Sequence, residues 1–214
     1  MRILALSSAS GGCAAAIVRN GEILAEAREP AERGLPEAIP PMVARLLEQG
    51  GAPDLVAAIV GPGSFTGLRA GLAVAQGVAL GAGVKLVGVT VAEAIREALP
   101  ALGDRILWVA MDSRRNRIFL DRDGDLAAFA LDALPPAAAP VAVAGDAANI
   151  VAATLAARGT DIMLTSARRP LPRHVALVAA RRAAGEIAPL AATPLYVDPP
   201  EAKLPAGGLR PPPE

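Results

Sequence analysis

The residues best placed to do chemistry form one run, Gly61-Pro62-Gly63-Ser64-Phe65-Thr66-Gly67-Leu68-Arg69, which Ala70-Gly71-Leu72 continues. It joins an apolar stretch, Leu55 to Val60, to a second one beginning at Leu68. Glycines at such a junction permit a tight strand-to-helix turn, and a hydroxyl from Ser64 or Thr66 can accept a hydrogen bond from a free N–H of the helix. A helix start of this kind can also hold an anion. It is not a nucleotide-binding P-loop, because no Gly-Lys-Ser/Thr closes the run and no lysine is there to reach the outer phosphates. A structural turn and a phosphate cradle both stay open.

The other candidates are sparse. His174 is the single histidine, so neither a pair of imidazoles four apart on one helix face nor a His-Glu-x-x-His zinc site can form. It follows Pro170, Pro172 and Arg173, which places it at the surface near a helix start. A Ser64–His174 couple has no spacing that marks a nucleophile and its base. Cys13, alone in an apolar strand, reads as a small buried hydrophobe and has no partner for an intramolecular disulfide. Asp112 with Arg114 and Arg115 is either a functional group of charges or a solvated turn. The expectation is no catalytic residue, no metal and no cofactor.

The elements that would position these residues are legible from periodicity. Ile3–Leu6 and Cys13–Val18 are apolar strands around a small-residue turn, and Asn20-Gly21 leads to a third strand over Glu22–Glu29. Asn-Gly between apolar runs is a strong hairpin signal, since both central residues need positive φ. From Glu37 to Gln49 apolar residues recur at helical spacing, although Pro40 and Pro41 make the start irregular. Strand Leu55–Val60, helix Leu68 to about Leu80, strand Val84–Val89 and helix Val91–Leu99 complete a first lobe. A second cycle has strands Ile106–Met111 and Ile118–Leu120 and a turn at Asp123-Gly124. After a Pro/Ala linker come strand Val141–Ala144, helix Ala147–Ala157, strand Ile162–Leu164 and a helix from about Arg173 to Ala184. The same order of elements twice predicts an α/β chain of two lobes, each a mixed sheet with flanking helices, over 1–103 and 104–188. The proline-rich remainder, 189–214, is expected to be extended or disordered.

Bulk composition narrows the function. Hydrophobic residues make up 53% of the 214 and charged residues 20%, enough apolar material for a core. Basic and acidic residues balance at 21 each, so no net positive field draws nucleic acid from a distance. No basic run interleaved with aromatics offers a stacking platform. Ala70–Val84, a long uncharged stretch, is too short to span a bilayer, and the N-terminus turns polar too soon for a secretory signal. A cytoplasmic location away from membranes is the expectation. In the helix after the loop, Gly67 and Gly71 stand four apart, as do Gly77 and Gly81, with Ala73 four before Gly77. Such a small-residue face lets a neighbouring helix approach closely, in another chain or in the lobe's own core.

Gly61 to Arg69 with Gly71-Leu72-Ala73-Val74-Ala75-Gln76-Gly77 resembles the hallmark of the TsaB family. Ile3-Leu4-Ala5-Leu6, Met111-Asp112-Ser113-Arg114-Arg115 and Pro194-Leu195-Tyr196-Val197 resemble that family more weakly over nearly the whole chain. Two departures stand out. The family opens Leu-Asp-Thr-Ser, where here Ser7-Ser8 follow Leu6, and its Arg-x-His-Ser-Glu is reduced to the ends of Arg33-Gly34-Leu35-Pro36-Glu37.

The resemblance implies two actin-like/ribonuclease H-like lobes of the ASKHA type without catalysis of their own. It implies pairing with a catalytic TsaD-like subunit and a TsaE-like ATPase, in a complex that transfers threonylcarbamoyl to the adenosine beside the anticodon of tRNAs reading ANN codons. tRNA would be reached only indirectly, through the complex. The grip on the catalytic subunit is expected from the first-lobe helices, at Ile39, Met42, Val43 and Leu46, and at Leu68, Gly71, Leu72, Ala75 and Gly77. Two other readings remain: a nucleotide-binding enzyme of the same superfold, and a homodimer pairing through the same face.

Overall fold

In the computed structural model of the chain, residues 1–30, 34–113 and 116–197 are described. Arg33, Arg114, Arg115 and the tail 198–214 lie outside the described residues. β1 (Arg2–Ser7), β2 (Cys13–Arg19) and β3 (Glu22–Glu29) form an antiparallel meander. Asn20 and Gly21 both take positive φ, 51° and 83°, as the hairpin signal requires. β4 (Leu55–Gly61) and β5 (Lys85–Thr90) then add in parallel beside β1, giving a sheet of order β3-β2-β1-β4-β5.

The second half repeats this plan. β6 (Ile106–Asp112), β7 (Ile118–Arg122) and β8 (Asp125–Phe129) run antiparallel, and β9 (Val141–Ala144) and β10 (Ile162–Leu164) add in parallel, in the order β10-β9-β6-β7-β8. Two mixed five-stranded sheets with flanking helices are the two-lobed actin-like/ribonuclease H-like arrangement that the sequence implied. β8 is absent from the periodicity, because Asp125-Leu126-Ala127-Ala128-Phe129 shows no alternation; pairing with β7 makes it a strand.

Strands buried on both faces read as continuous apolar runs, and their alternate residues enter different cores. Leu4, Leu6, Ile17, Val56, Ala58 and Val60 face α1 (Leu35–Gly50) and α2 (Phe65–Ala82). From the other face of that sheet, Ile3, Ala5, Val18, Leu55, Ala57 and Ile59 enter a core that continues through α3 (Val91–Glu97) and α5 (Pro172–Ala183). This core reaches Leu107, Val109 and Met111 of the second sheet. The second sheet's far face, with Trp108, Ala110 and Val143, is covered by α4 (Ala148–Ala157). Pro40 and Pro41 fall within α1, where they cannot donate to Pro36 and Glu37, but those carbonyls lie on an exposed turn open to water. Among the described residues no helix is long and apolar enough to cross a membrane.

The first sheet is built from strands between Arg2 and Thr90 and the second from strands between Ile106 and Leu164, but the helices do not divide in the same way. α5, from the second half of the chain, lies across β1, β2, β4 and β5 of the first sheet and against α3. Buried Arg182 fixes it there. The Arg182 guanidinium donates to Gly88 O and Ala188 O, both at 2.7 Å, and pairs with Glu93. Glu93 in turn accepts from Thr90 N and donates its own N–H to Thr90 Oγ1, closing a capping box at the start of α3. The chain then returns over the first lobe: Gly88 N donates to Leu190 O at 2.9 Å and Leu195 N to Val60 O at 2.7 Å. Residues 189–197 are therefore irregular but hydrogen-bonded to the first sheet, a strap rather than a free tail.

Arg182→Met is expected to destabilise the chain by about 3 kcal/mol, the low end for breaking a buried pair because Glu93 keeps 34% of its side-chain surface exposed. At roughly 2–4 °C per kcal/mol for this size, calorimetry would then show a melting point lower by about 6–12 °C.

Candidate functional site

The Gly61–Gly71 segment is held against the β1–β2 turn. Ser64 N donates to Ala9 O at 2.7 Å, and Ser64 Oγ accepts from Gly67 N, capping α2 one turn earlier than periodicity places the helix start. A Cβ on Gly63 would sit 2.8 Å from that of Ala9, one on Gly67 would run into Ser8 O, and one on Gly71 would meet the Ser8 side chain. These three glycines are spent on bringing the start of α2 against Ser8 and Ala9. On the far side of the turn, Ser7 Oγ donates to Pro170 O at 2.7 Å within the protein interior.

A cleft between the halves opens beside this contact, lined by Ser10, Gly11, Ser64, Asp112, Asp146 and Arg168 among others. Its volume is about 30 Å3, far below the roughly 300–1,000 Å3 of small-molecule sites. Within it Asp146 Oδ1 accepts from Asp112 N at 2.9 Å, while Arg168 donates outside the lining, to Asn149 Oδ1 at 3.1 Å and to Thr165 O. His174, in the first turn of α5, is partly buried, and that burial, then the charge of Arg173, holds its pKa below the ordinary 6.5. Burial, then the charge of Glu29, pushes the Cys13 thiol up to about 12, as suits the small buried hydrophobe read from the sequence.

The residues expected to grip a partner are placed differently. Ile39, Met42, Val43 and Leu46 of α1, and Leu68, Leu72 and Ala75 of α2, are all 3% exposed or less; Leu68 enters the core shared with α3 and α5, and the others pack between the helices and the lobe's own sheet. Gly71 is buried against Ser8. These residues hold the helices down, so none of them presents a surface. Gly77 is the exception: it is exposed, and a Cβ there would meet nothing within 4 Å. The same is true of Gly81. The small-residue stripe thus divides, its first half serving the fold and its second half facing outward.

The outward face of α2 carries Thr66, Arg69, Ala73, Gln76, Gly77, Leu80 and Gly81. Leu80 is 86% exposed. The signal that could have found this face was the placing of the polar residues of α2, Thr66, Arg69 and Gln76, together with the small residues flanking Leu80. At the N-terminal end of the face, half-exposed Phe65 and Tyr196 stand with ring centres 5.8 Å apart, and Arg69 lies over Phe65. No periodicity brings Tyr196 to Arg69; the returning strap does so.

Comparison with known proteins follows the whole arrangement. The family model described as TsaD, tRNA N6-adenosine threonylcarbamoyltransferase, matches residues 27–180. The Escherichia coli K12 tRNA threonylcarbamoyladenosine biosynthesis protein TsaB is 35% identical over 124 residues, which are 56% of this chain and 53% of that protein. The chain thus spans about half the length of that relative. An uncharacterized protein of Mycobacterium bovis is 32% identical over 94% of this chain and 93% of its own length. In three dimensions, YeaZ from Pseudomonas aeruginosa superposes with a TM-score of 0.66 at 22% identity, covering 92% of this chain and 100% of that one. A second Pseudomonas aeruginosa structure, of an uncharacterized protein similar to peptidase YeaZ, gives a TM-score of 0.70 at 24% identity over 92% and 99%.

The two halves of the glycine stripe should respond oppositely to alanine. Gly67→Ala drives a methyl into fixed backbone, and such overpacking typically costs about 1–3 kcal/mol. Gly77→Ala fills open space and gains up to about 1 kcal/mol of helix propensity. Thermal melts of the two variants are expected to fall and to rise, respectively, relative to the parent chain.

Proposed function

The chain belongs to the TsaB/YeaZ family, and from that premise we propose that it is a non-catalytic subunit that binds and activates a TsaD-type catalytic partner in the cytoplasm. Its complex transfers threonylcarbamoyl to the adenosine next to the anticodon of tRNAs reading ANN codons, with a TsaE-type ATPase as a further member. Supporting this is what the relatives' names state of those proteins, biosynthesis of threonylcarbamoyladenosine and its transfer to tRNA.

The observation that carries the reading is the outward face of α2. Leu80, almost wholly in water, stands among Ala73, Gly77 and Gly81, none of which projects beyond a methyl. Small residues allow a helix from another protein to come close, and a leucine at the centre supplies apolar area when covered. The residues first expected to grip the partner instead form the rigid base on which this face stands. The small size of the cleft between the halves favours a binding role over turnover. The same face can pair with a second copy of the chain in the partner's absence, since a small apolar surface can be self-complementary. tRNA is reached through the complex, consistent with a chain of zero net charge.

Burying a leucine side chain stabilises an interface by about 1.5–3 kcal/mol, or roughly tenfold to a hundredfold in affinity. Leu80→Glu and Gly77→Leu are therefore expected to lose co-elution with TsaD in size-exclusion chromatography, Leu80→Glu at the parent melting temperature and Gly77→Leu at one no lower than the parent's, since it replaces an exposed helix glycine. Pairing unchanged in both variants would show that the partner docks elsewhere.

A further inference from the structure

Arg69 is ordered by its neighbours without being neutralised by them. Its Nε donates to Tyr196 Oη at 2.9 Å, and its guanidinium carbon stands 3.8 Å from the Phe65 ring centre and 5.8 Å from that of Tyr196. One N–H of the five is thus used, and among the described residues no carboxylate pairs with the group. Several other arginines differ in being paired with a carboxylate: Arg96 with Asp123, Arg105 with Asp161, Arg181 with Glu97 and Arg182 with Glu93. The terminal amino groups of Arg69 form a planar fork held in place on an aromatic face, at an exposed position.

We infer that Arg69 is a preorganised anchor for a carboxylate side chain of the TsaD-type partner, at the N-terminal end of the surface formed by α2. The inference rests on the partner-binding reading of α2 and adds a charged contact to it. Arg69 shares a helix face with Ala73, Gln76 and Leu80, since residues three and four apart lie on one side. At 1.5 Å per residue, Arg69 stands about 16 Å along the helix from Leu80, within the span of one protein interface. An immobilised guanidinium gives up little further side-chain freedom when it binds, and its fork matches a carboxylate through two parallel N–H···O bonds. Phe65 at 49%, Tyr196 at 44% and Leu195 at 37% exposure provide the apolar ring that would exclude water around such a pair. A single cation in an apolar surround suits one carboxylate, whereas a nucleic acid backbone is held by an array of cations.

Arg69 also ties the strap to α2, and the experiment must separate the two roles. Affinity for the purified TsaD of the same organism, measured by surface plasmon resonance at low and high salt, is read beside thermal melts. Arg69→Lys keeps the charge but not the fork, and is expected to weaken pairing about tenfold or more with an unchanged melting temperature. Arg69→Gln should weaken it further and flatten the salt dependence, while Tyr196→Phe, which frees the guanidinium but keeps the stack, should cost only a few-fold. A lower melting temperature with parent affinity in Arg69→Gln would reduce the residue to a structural tie and overturn the inference. Loss confined to tRNA binding would overturn it too, by identifying a phosphate contact. If Leu80→Glu abolishes pairing while the Arg69 variants pair normally, the anchor fails alone; if pairing survives every variant, the α2 surface fails with it.

Discussion

The position of α2 depends on one close approach, that of its first two turns to Ser8 and Ala9. Gly63, Gly67 and Gly71 have no side chains to keep the backbones apart, and Ser64 is bonded to both elements through Ala9 O and its own cap. Because an α-helix repeats every 3.6 residues, fixing which side of Gly67 and Gly71 faces the turn fixes which side of residues 73–81 faces water. The outward display of Ala73, Gly77 and Leu80 is a consequence of the buried glycines that precede it. The hydrophobic base beneath, Leu72 and Ala75 against the sheet and Leu68 in the core shared with α3 and α5, locks the same rotation.

A second constraint joins the two halves. α5 is contributed by the second half of the chain but packs on the first sheet, and the central core continues from that sheet through α3 and α5 to β6 and β9. Arg182, the Ser7–Pro170 hydrogen bond and the returning strap all reinforce that crossing. The cleft between the halves lies beside these ties, and its small volume follows from them. The strap also explains how Tyr196, more than a hundred residues from Arg69 in sequence, becomes its neighbour.

Much of this was legible in the residues. Asn20-Gly21 and Asp123-Gly124 announced turns that do take positive φ, and the apolar runs marked nine of the strands with small boundary errors. Periodicity marks the apolar positions of α1 and α2 but does not distinguish a residue that packs inside its own lobe from one that grips a partner, and the expected partner residues were drawn from the buried side. Nor could it show that α5 crosses to the other sheet, because a helix's apolar stripe does not name the surface it covers. β8 escaped because Asp125–Phe129 lacks alternation and becomes a strand only through its neighbour. The family motif, by contrast, owed its recognisability to glycines whose steric role the fold makes plain.

In the proposed mode of action, the chain works through what α2 presents outward. Its most direct test is site-specific photocrosslinking with a benzophenone amino acid placed at Gln76 on that face, or at exposed Ala153 on α4 as a control. With purified TsaD present, irradiation should give a crosslinked heterodimer from position 76 and none from position 153. A heterodimer formed from position 153 alone, with none from position 76, would contradict the assignment of the partner surface to α2.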